Sequence, residues 1–390
     1  MRRWLLFGLP LTALLALLPA PSRGAAPEAP HVLLERMTVA PDGATAPLAA
    51  GGSAPLTIDP DLQHAADRLL AAAHPLAGTV VMLHAPSGRV LVFDQYSRGH
   101  DPGRLLYEAR SPSASVFKIV TTAALLETGR LDPQTPVCFA GGNHSIERRH
   151  LDPPRAGKVT CAPFGTALGF SRNAVFAQLV TRHLARDDLI EIAARFGFNK
   201  LLPFDYPVPL GSSRVPYNDL EFARAAAGFE GSTLSPLGAA YLGYVIAAGG
   251  LAPRLHVLKT SPPQRLEPLG RVVRPWTARA LTRMMELTVH GGTSFGAFSD
   301  QTGRSLLGEI RVAGKTGTLQ RSRDEPTTSW FVGFAPSRAP EVVVSVMLLN
   351  ADVYRSKANQ VARDMMRVYF AARGRPGITD PLAEPVSRSN

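Results

Sequence analysis

Strand-like sequence stands only at the two ends of a long helical middle, and this constrains the fold more than any other feature. Near the start, Gly78 to His84 and Arg89 to Asp94 are β-rich runs joined by Ala85-Pro-Ser-Gly88, a hairpin signal. Strand patterns return only at Glu309 to Thr318, Thr328 to Ala335 and Glu341 to Asn350. Between them, apolar residues recur at helical spacing in Ser115 to Glu127, Asn173 to Leu184, Asp187 to Phe196, Asp219 to Gly228, Pro236 to Ala248 and Thr277 to Val289. A helix is expected before the first hairpin, Asp59 to Ala73 with Asp59 or Asp61 as its cap, and another after the last strand, about Arg355 to Arg373. Two strands early and three late must close one sheet from both ends of the chain. The expectation is an α+β fold: a central antiparallel sheet of about five strands flanked by helices, with an all-helical lobe inserted and a ligand cleft between the lobes.

At 390 residues, 45% hydrophobic and 19% charged, the chain has the composition of a globular protein and not of a disordered or polytopic membrane one. Its first residues are Met1-Arg-Arg3, an apolar run from Trp4 to Leu18, then Pro19 and small residues to Ala26. Such a run of about 15 residues, short of the roughly 20 a bilayer span needs, reads as a cleaved signal peptide over residues 1–25, with an uncleaved inner-membrane anchor as the alternative. Residues 26–54, rich in Ala, Pro and Gly, read as a flexible lead-in, 55–373 as the domain and 374–390 as a disordered tail. Removing the signal takes Arg2, Arg3 and Arg23 and no acid, so the mature chain stays basic from a formal charge of +11. That charge suits the anionic polymers of a cell envelope. No basic stripe or aromatic platform supports nucleic-acid binding. Cys138 and Cys161 read as a disulfide in an oxidising compartment. His144 and His150 between them would allow zinc, but the spacing matches no ligand pattern, and no metal or cofactor is expected.

Three short motifs carry the chemistry, in order: Ser115-Val-Phe-Lys118, Ser171-Arg-Asn173 and Lys315-Thr-Gly-Thr318. Ser115 and Lys118 share one face of a helix start. The helix around them is apolar nearly all round, so Lys118 is desolvated, its ammonium form is disfavoured, and it is able to take the Ser115 proton. Alone, a Ser-x-x-Lys arises about once by chance in a chain this long and could be a helix cap with a snorkelling lysine. Ser171 is placed to relay a proton to a leaving group and Asn173 to donate to a substrate carbonyl, although either could instead be an N-cap. On a late strand, Lys315, Thr316 and Thr318 would hold a substrate carboxylate by cation and hydroxyls together. The bare Gly317 would let a peptide lie against the strand, and the Thr318 N–H would join that of Ser115 in an oxyanion hole.

With these motifs the chain resembles the transpeptidase domain of penicillin-binding proteins over about residues 55 to 372. Ile58-Asp-Pro-Asp-Leu-Gln63, Gly88-Arg-Val-Leu91, Ala114-Ser-Val-Phe-Lys118, Thr233-Leu-Ser-Pro-Leu237, Gly291-Gly-Thr-Ser294 and Ser329-Trp-Phe-Val-Gly-Phe334 carry the resemblance beside them. It implies a Ser115 acyl-enzyme formed on the D-Ala-D-Ala end of peptidoglycan stem peptides, transfer to a neighbouring amine, and β-lactams as covalent inhibitors. The family's polymerising members carry a glycosyltransferase domain ahead of this one. Only some 30 low-complexity residues precede the domain here, so no glycan polymerisation is expected. The charged loop Arg321 to Glu325 is expected to tune acceptor access. A D,D-carboxypeptidase gives the same acyl-enzyme to water. Class D β-lactamases share the first and third motifs, but their middle motif usually ends in Val where Asn173 stands. A non-catalytic β-lactam sensor is the remaining alternative, against which the three intact motifs argue.

Overall fold

The computed structural model describes residues 32–383 apart from 100–102, 143, 156, 321, 323 and 352–354; the signal-peptide stretch 1–25 and residues 384–390 lie outside it. From Val32 on, the chain is built into the fold and is not the flexible lead-in expected. Strands β1 (Thr38–Ala40), β2 (Gly43–Pro47) and β3 (Ser53–Pro55) form a three-stranded antiparallel sheet. Val32, Leu34, Ala44 and Ala46 are buried in the main core, and Glu35 accepts from the Tyr206 hydroxyl and from Arg104 at 2.7 Å. The periodicity is weak because each strand is so short. Burial against distant residues, not local pattern, orders them.

Helix α1 (Pro60–Ala73) starts at Asp59, whose side chain accepts from the Leu62 N–H at 3.2 Å. The hairpin follows as β4 (Ala77–His84) and β5 (Arg89–Ser97). After β6 (Ser111–Pro112) the helical block begins with a 3₁₀ turn, Ala114–Phe117, that runs into α2 (Lys118–Glu127). β7 (Pro136–Phe139) and β8 (Thr160–Pro163) form a ribbon in which Cys138 and Cys161 face each other and are bonded, S–S 1.98 Å. Then come α3 (Gly165–Gly169), α4 (Asn173–His183), α5 (Arg186–Phe196), β9 (Gly211–Ser213), α6 (Asp219–Ala226), β10 (Ser232–Leu234) and α7 (Pro236–Ala247). Its N-cap Ser235 accepts from the Gly238 N–H at 2.9 Å, and α7 is buried on all sides from Pro236 to Ile246. A ribbon of β11 (Leu251–Pro253) and β12 (Pro268–Arg271) precedes α8 (Pro275–His290) and the single turn α9 (Phe295–Phe298).

The late strands are β13 (Ala313–Leu319), β14 (Thr327–Ala335) and β15 (Val342–Asn350). Glu309 to Val312, expected to begin the first of them, is instead a turn in which the Ile310 N–H bonds to the Leu307 carbonyl. The five strands form one antiparallel sheet in the order β13-β14-β15-β4-β5, with Leu349 beside Ala77 and Val342 beside His84. One face, with Trp330, Val332, Phe334 and Val343, packs into the core shared with α2 and α7. The other, with Phe331, Val344 and Val346, is covered by α1 and by α10 (Ala358–Ala371). The expected disordered tail is tied down at least to Ala383: Ile378 and Leu382 pack on this second core, and Arg367 binds the Thr379 hydroxyl.

Under α1, Asp94 of β5 accepts from the Gln63 amide at 3.0 Å, while its other oxygen is buried and, among the described residues, without a partner. Burial, then the nearby Asp67 charge, pushes this carboxyl up to about 7. Between pH 4 and 7 the native state therefore keeps a proton that the unfolded chain has lost, and stability falls as pH rises through that window. Asp94→Asn keeps the acceptor and removes the charge. It should raise unfolding free energy by about 1–3 kcal/mol at pH 8 and by much less at pH 4. Urea denaturation at both pH values checks this, and a variant less stable at pH 8 would contradict it.

Candidate active site

Ser115, the candidate nucleophile, sits on a strained turn. Ala114 has φ +47°, in the left-handed region a non-glycine residue rarely adopts. Gly228, φ +84°, backs this turn so closely that a Cβ there would lie 1.9 Å from the Ala114 carbonyl oxygen. The turn is 3₁₀, not the α-helix expected from sequence, so residues three apart eclipse and Ser115 stands over Lys118. Lys118 Nζ lies 2.7 Å from Ser115 Oγ and donates to the Ala227 carbonyl at 2.9 Å. The lysine is fully buried, with the rings of Phe176 and Phe229 at 5.6 and 6.0 Å. Burial, then repulsion from Lys315, pulls its pKa well below the ordinary lysine value, so the neutral amine is favoured.

The second motif closes the opposite side. Neither Ser171 nor Asn173 caps α4: Arg172 occupies the N-cap, without a side-chain capping bond. Ser171 has φ +53°, and this second strained residue turns its hydroxyl to Lys315, whose Nζ donates to it at 3.1 Å. Asn173 is 5% exposed and lines the same cleft. Arg172 between them stacks on Phe139 and Phe170, with its guanidinium carbon 4.7 and 4.9 Å from the ring centres.

Strand β13 is the exposed edge of the sheet and forms the third wall. Its side chains alternate, so Lys315 and Gly317 face one way and Thr316 and Thr318 the other. Lys315 is fully buried, also donates to the Thr316 carbonyl at 2.8 Å, and is lowered by burial to about 7. It is therefore turned toward Ser171 and away from the two threonine hydroxyls with which it was expected to share a carboxylate. Gly317 is bare for a reason other than the one expected. A Cβ there would meet Ala114 Cβ and Val116 Cγ2 at 3.2 Å, so the glycine lets β13 press against the nucleophile's turn and does not face a ligand.

Ser115, Ser171, Asn173, Thr316 and Thr318 thus converge on one cleft of about 780 Å³. Sequence motifs did not point to the lining residues Phe170, Phe229, Lys357 and Asn359, His144 was considered only for zinc, and Trp330 was named only within Ser329–Phe334. Thr293, named only within Gly291–Ser294, shares a hydrogen bond of 2.7 Å with Thr316. Trp330 anchors the wall by donating from Nε1 to the Pro112 carbonyl at 2.9 Å. Among the described residues no cluster of His, Cys, Asp or Glu is arranged to hold a metal, and His150 Nδ1 accepts from the Glu147 N–H at 3.0 Å.

A partly exposed hydroxyl paired with a buried amine whose charged form is disfavoured, beside an open strand edge, is the apparatus of a serine acyltransferase. The chain belongs to the family described as penicillin binding protein transpeptidase domain, whose model matches residues 78–367. It is 26% identical over 369 residues to the peptidoglycan D,D-transpeptidase PbpA of Mycobacterium tuberculosis, covering 83% of this chain and 72% of that protein. The protein of the same name from Mycolicibacterium smegmatis is 27% identical over 383 residues, covering 84% of this chain and 73% of that one. Among solved structures, penicillin-binding protein A from M. tuberculosis superposes with TM-score 0.65 at 24% identity, over 83% of this chain and 82% of that one. The transpeptidase domain of penicillin-binding protein 3 from Burkholderia pseudomallei gives 0.66 at 23%, over 85% and 98%.

Proposed function

We propose that this protein is a peptidoglycan D,D-transpeptidase of the cell envelope, exported by residues 1–25, with Ser115 as nucleophile. The observation that carries this reading is the 2.7 Å approach of Ser115 Oγ to the amine of a fully buried lysine. Lys118 takes the hydroxyl proton as Oγ attacks the carbonyl between the two terminal D-alanines of a stem peptide. The developing oxyanion lies between the backbone N–H groups of Ser115 and Thr318. In support, the Thr316 carbonyl is open to Lys315 on the outer edge of β13, and the backbone groups two residues on point the same way. Ser171, bridged to Lys315, relays the proton held by Lys118 to the leaving amine, which leaves Lys118 neutral again, and Asn173 donates to the donor peptide's carbonyl. An acceptor amine then attacks the Ser115 ester, Lys118 takes the proton it sheds, and Lys118 returns that proton to Ser115 Oγ as the ester bond breaks. A β-lactam acylates the same oxygen.

Purified protein given a stem pentapeptide donor and a second stem peptide as amine acceptor should release D-alanine and form the joined peptide, both read by mass spectrometry. Release of D-alanine with only the shortened, hydrolysed donor would reassign the enzyme as a carboxypeptidase. No release of D-alanine would refute the reading.

A further inference from the structure

One wall of the cleft carries a positive charge that plays no part in moving the proton. Thr318 of β13 lies opposite Ser329 of β14, and Ser329 Oγ accepts from the Ala358 N–H at 3.2 Å. The first turn of α10 is thereby fixed one strand spacing, about 5 Å, and one hydrogen bond from Thr318. Lys357 and Asn359, on either side of Ala358, line the cleft together with Thr316 and Thr318. Lys357 is exposed and, among the described residues, has no carboxylate partner. Asn359 is 7% exposed and donates to Ser294 Oγ at 3.1 Å, while its amide oxygen is buried without a partner among the described residues. The positive end of the α10 dipole opens at the same place.

The leaving D-alanine ends in a carboxylate, which the threonine hydroxyls can bind and a nearby cation would hold more strongly. Lys315 does not face those hydroxyls, is wholly buried, and is engaged by Ser171 and the Thr316 carbonyl. We propose that Lys357, on the first turn of α10, is the cation of the carboxylate subsite: it binds the terminal carboxylate of the donor while Thr316 and Thr318 donate to it. This rests on the transpeptidase reading. Because the acceptor amine enters along the path by which the D-alanine amine leaves, the same subsite favours acceptors that carry a carboxylate on the carbon bearing the amine.

The test uses two donors that differ only in the terminal group, a free carboxylate or its methyl ester, and reads kcat/KM for Ser115 acylation. The wild-type protein should prefer the free acid by about tenfold or more, as a charge-assisted contact requires. In Lys357→Ala that ratio should fall to near unity, and Lys357→Arg should restore most of it. An unchanged ratio in Lys357→Ala, whether or not both rates drop, would overturn the assignment. Failure of both donors to acylate the wild-type protein would overturn the transpeptidase reading itself, and this proposal with it.

Discussion

Ser115→Ala protein treated with penicillin should remain unmodified, whereas the wild-type chain should gain the mass of one penicillin on the peptide that contains Ser115. The hydroxyls of Ser171 and Thr316 in the same cleft are not placed to substitute. The Ser171 hydroxyl is bonded to Lys315 and lies across the cleft, and the Thr316 hydroxyl is shared with Thr293. The expected loss of acylation rate is at least about 10⁴-fold, the scale on which removal of a nucleophile is felt. Alanine fits the site, because Ser115 is only partly buried and makes its side-chain bond to Lys118 alone among the described residues. An inactive variant should therefore still be folded, which circular dichroism checks alongside the mass spectrum. Equal labelling of variant and wild type would remove Ser115 from the mechanism.

Lys118→Met should slow acylation by about 10³-fold or more, since the base that activates the serine is gone. Lys118→Arg should fare no better, because a guanidinium stays protonated and cannot accept the hydroxyl proton. The wild-type rate should fall toward acid pH as the depressed amine takes up a proton. The same depression makes stability depend on pH as well. Below the ordinary lysine pKa of 10.5 the unfolded chain binds a proton that the native amine has shed or holds at a cost, so native stability rises with pH toward that value. Lys118→Met removes this penalty and should be more stable than wild type at neutral pH while nearly inactive. Stopped-flow labelling and urea denaturation read the two effects separately. Near-wild-type acylation by Lys118→Arg would end the general-base assignment.

The sheet was legible because its five strands are long and β-rich, and the three motifs because each is contiguous. Other features needed the folded chain. Ala44 and Ala46 look like filler in a proline-rich lead-in, yet they are buried in a core that residues from far along the sequence, Tyr206 among them, also build. The Lys315 motif invited a cation beside two hydroxyls, and only strand alternation together with Ser171 shows which way the lysine turns. Gly317 was legible as a required glycine but not as a contact with Ala114, since that turn is some two hundred residues away in the chain. Lys357 and Asn359 carry no motif at all. They reach the cleft because α10 packs on the sheet and its start is fixed by the bond from Ala358 to Ser329 and that from Asn359 to Ser294.

The pairing of β15 with β4 sets a timetable for the molecule. Until the residues near Val342 have been made and docked, the early hairpin and the pair β13-β14 are separate ribbons with open edges, and such distant pairings form late and slowly. The turn bearing the serine is backed by Gly228 and leans on β13, so one of its two supports is missing before that closure. Catalytic competence therefore waits on that closure, because one wall of the cleft is missing without it.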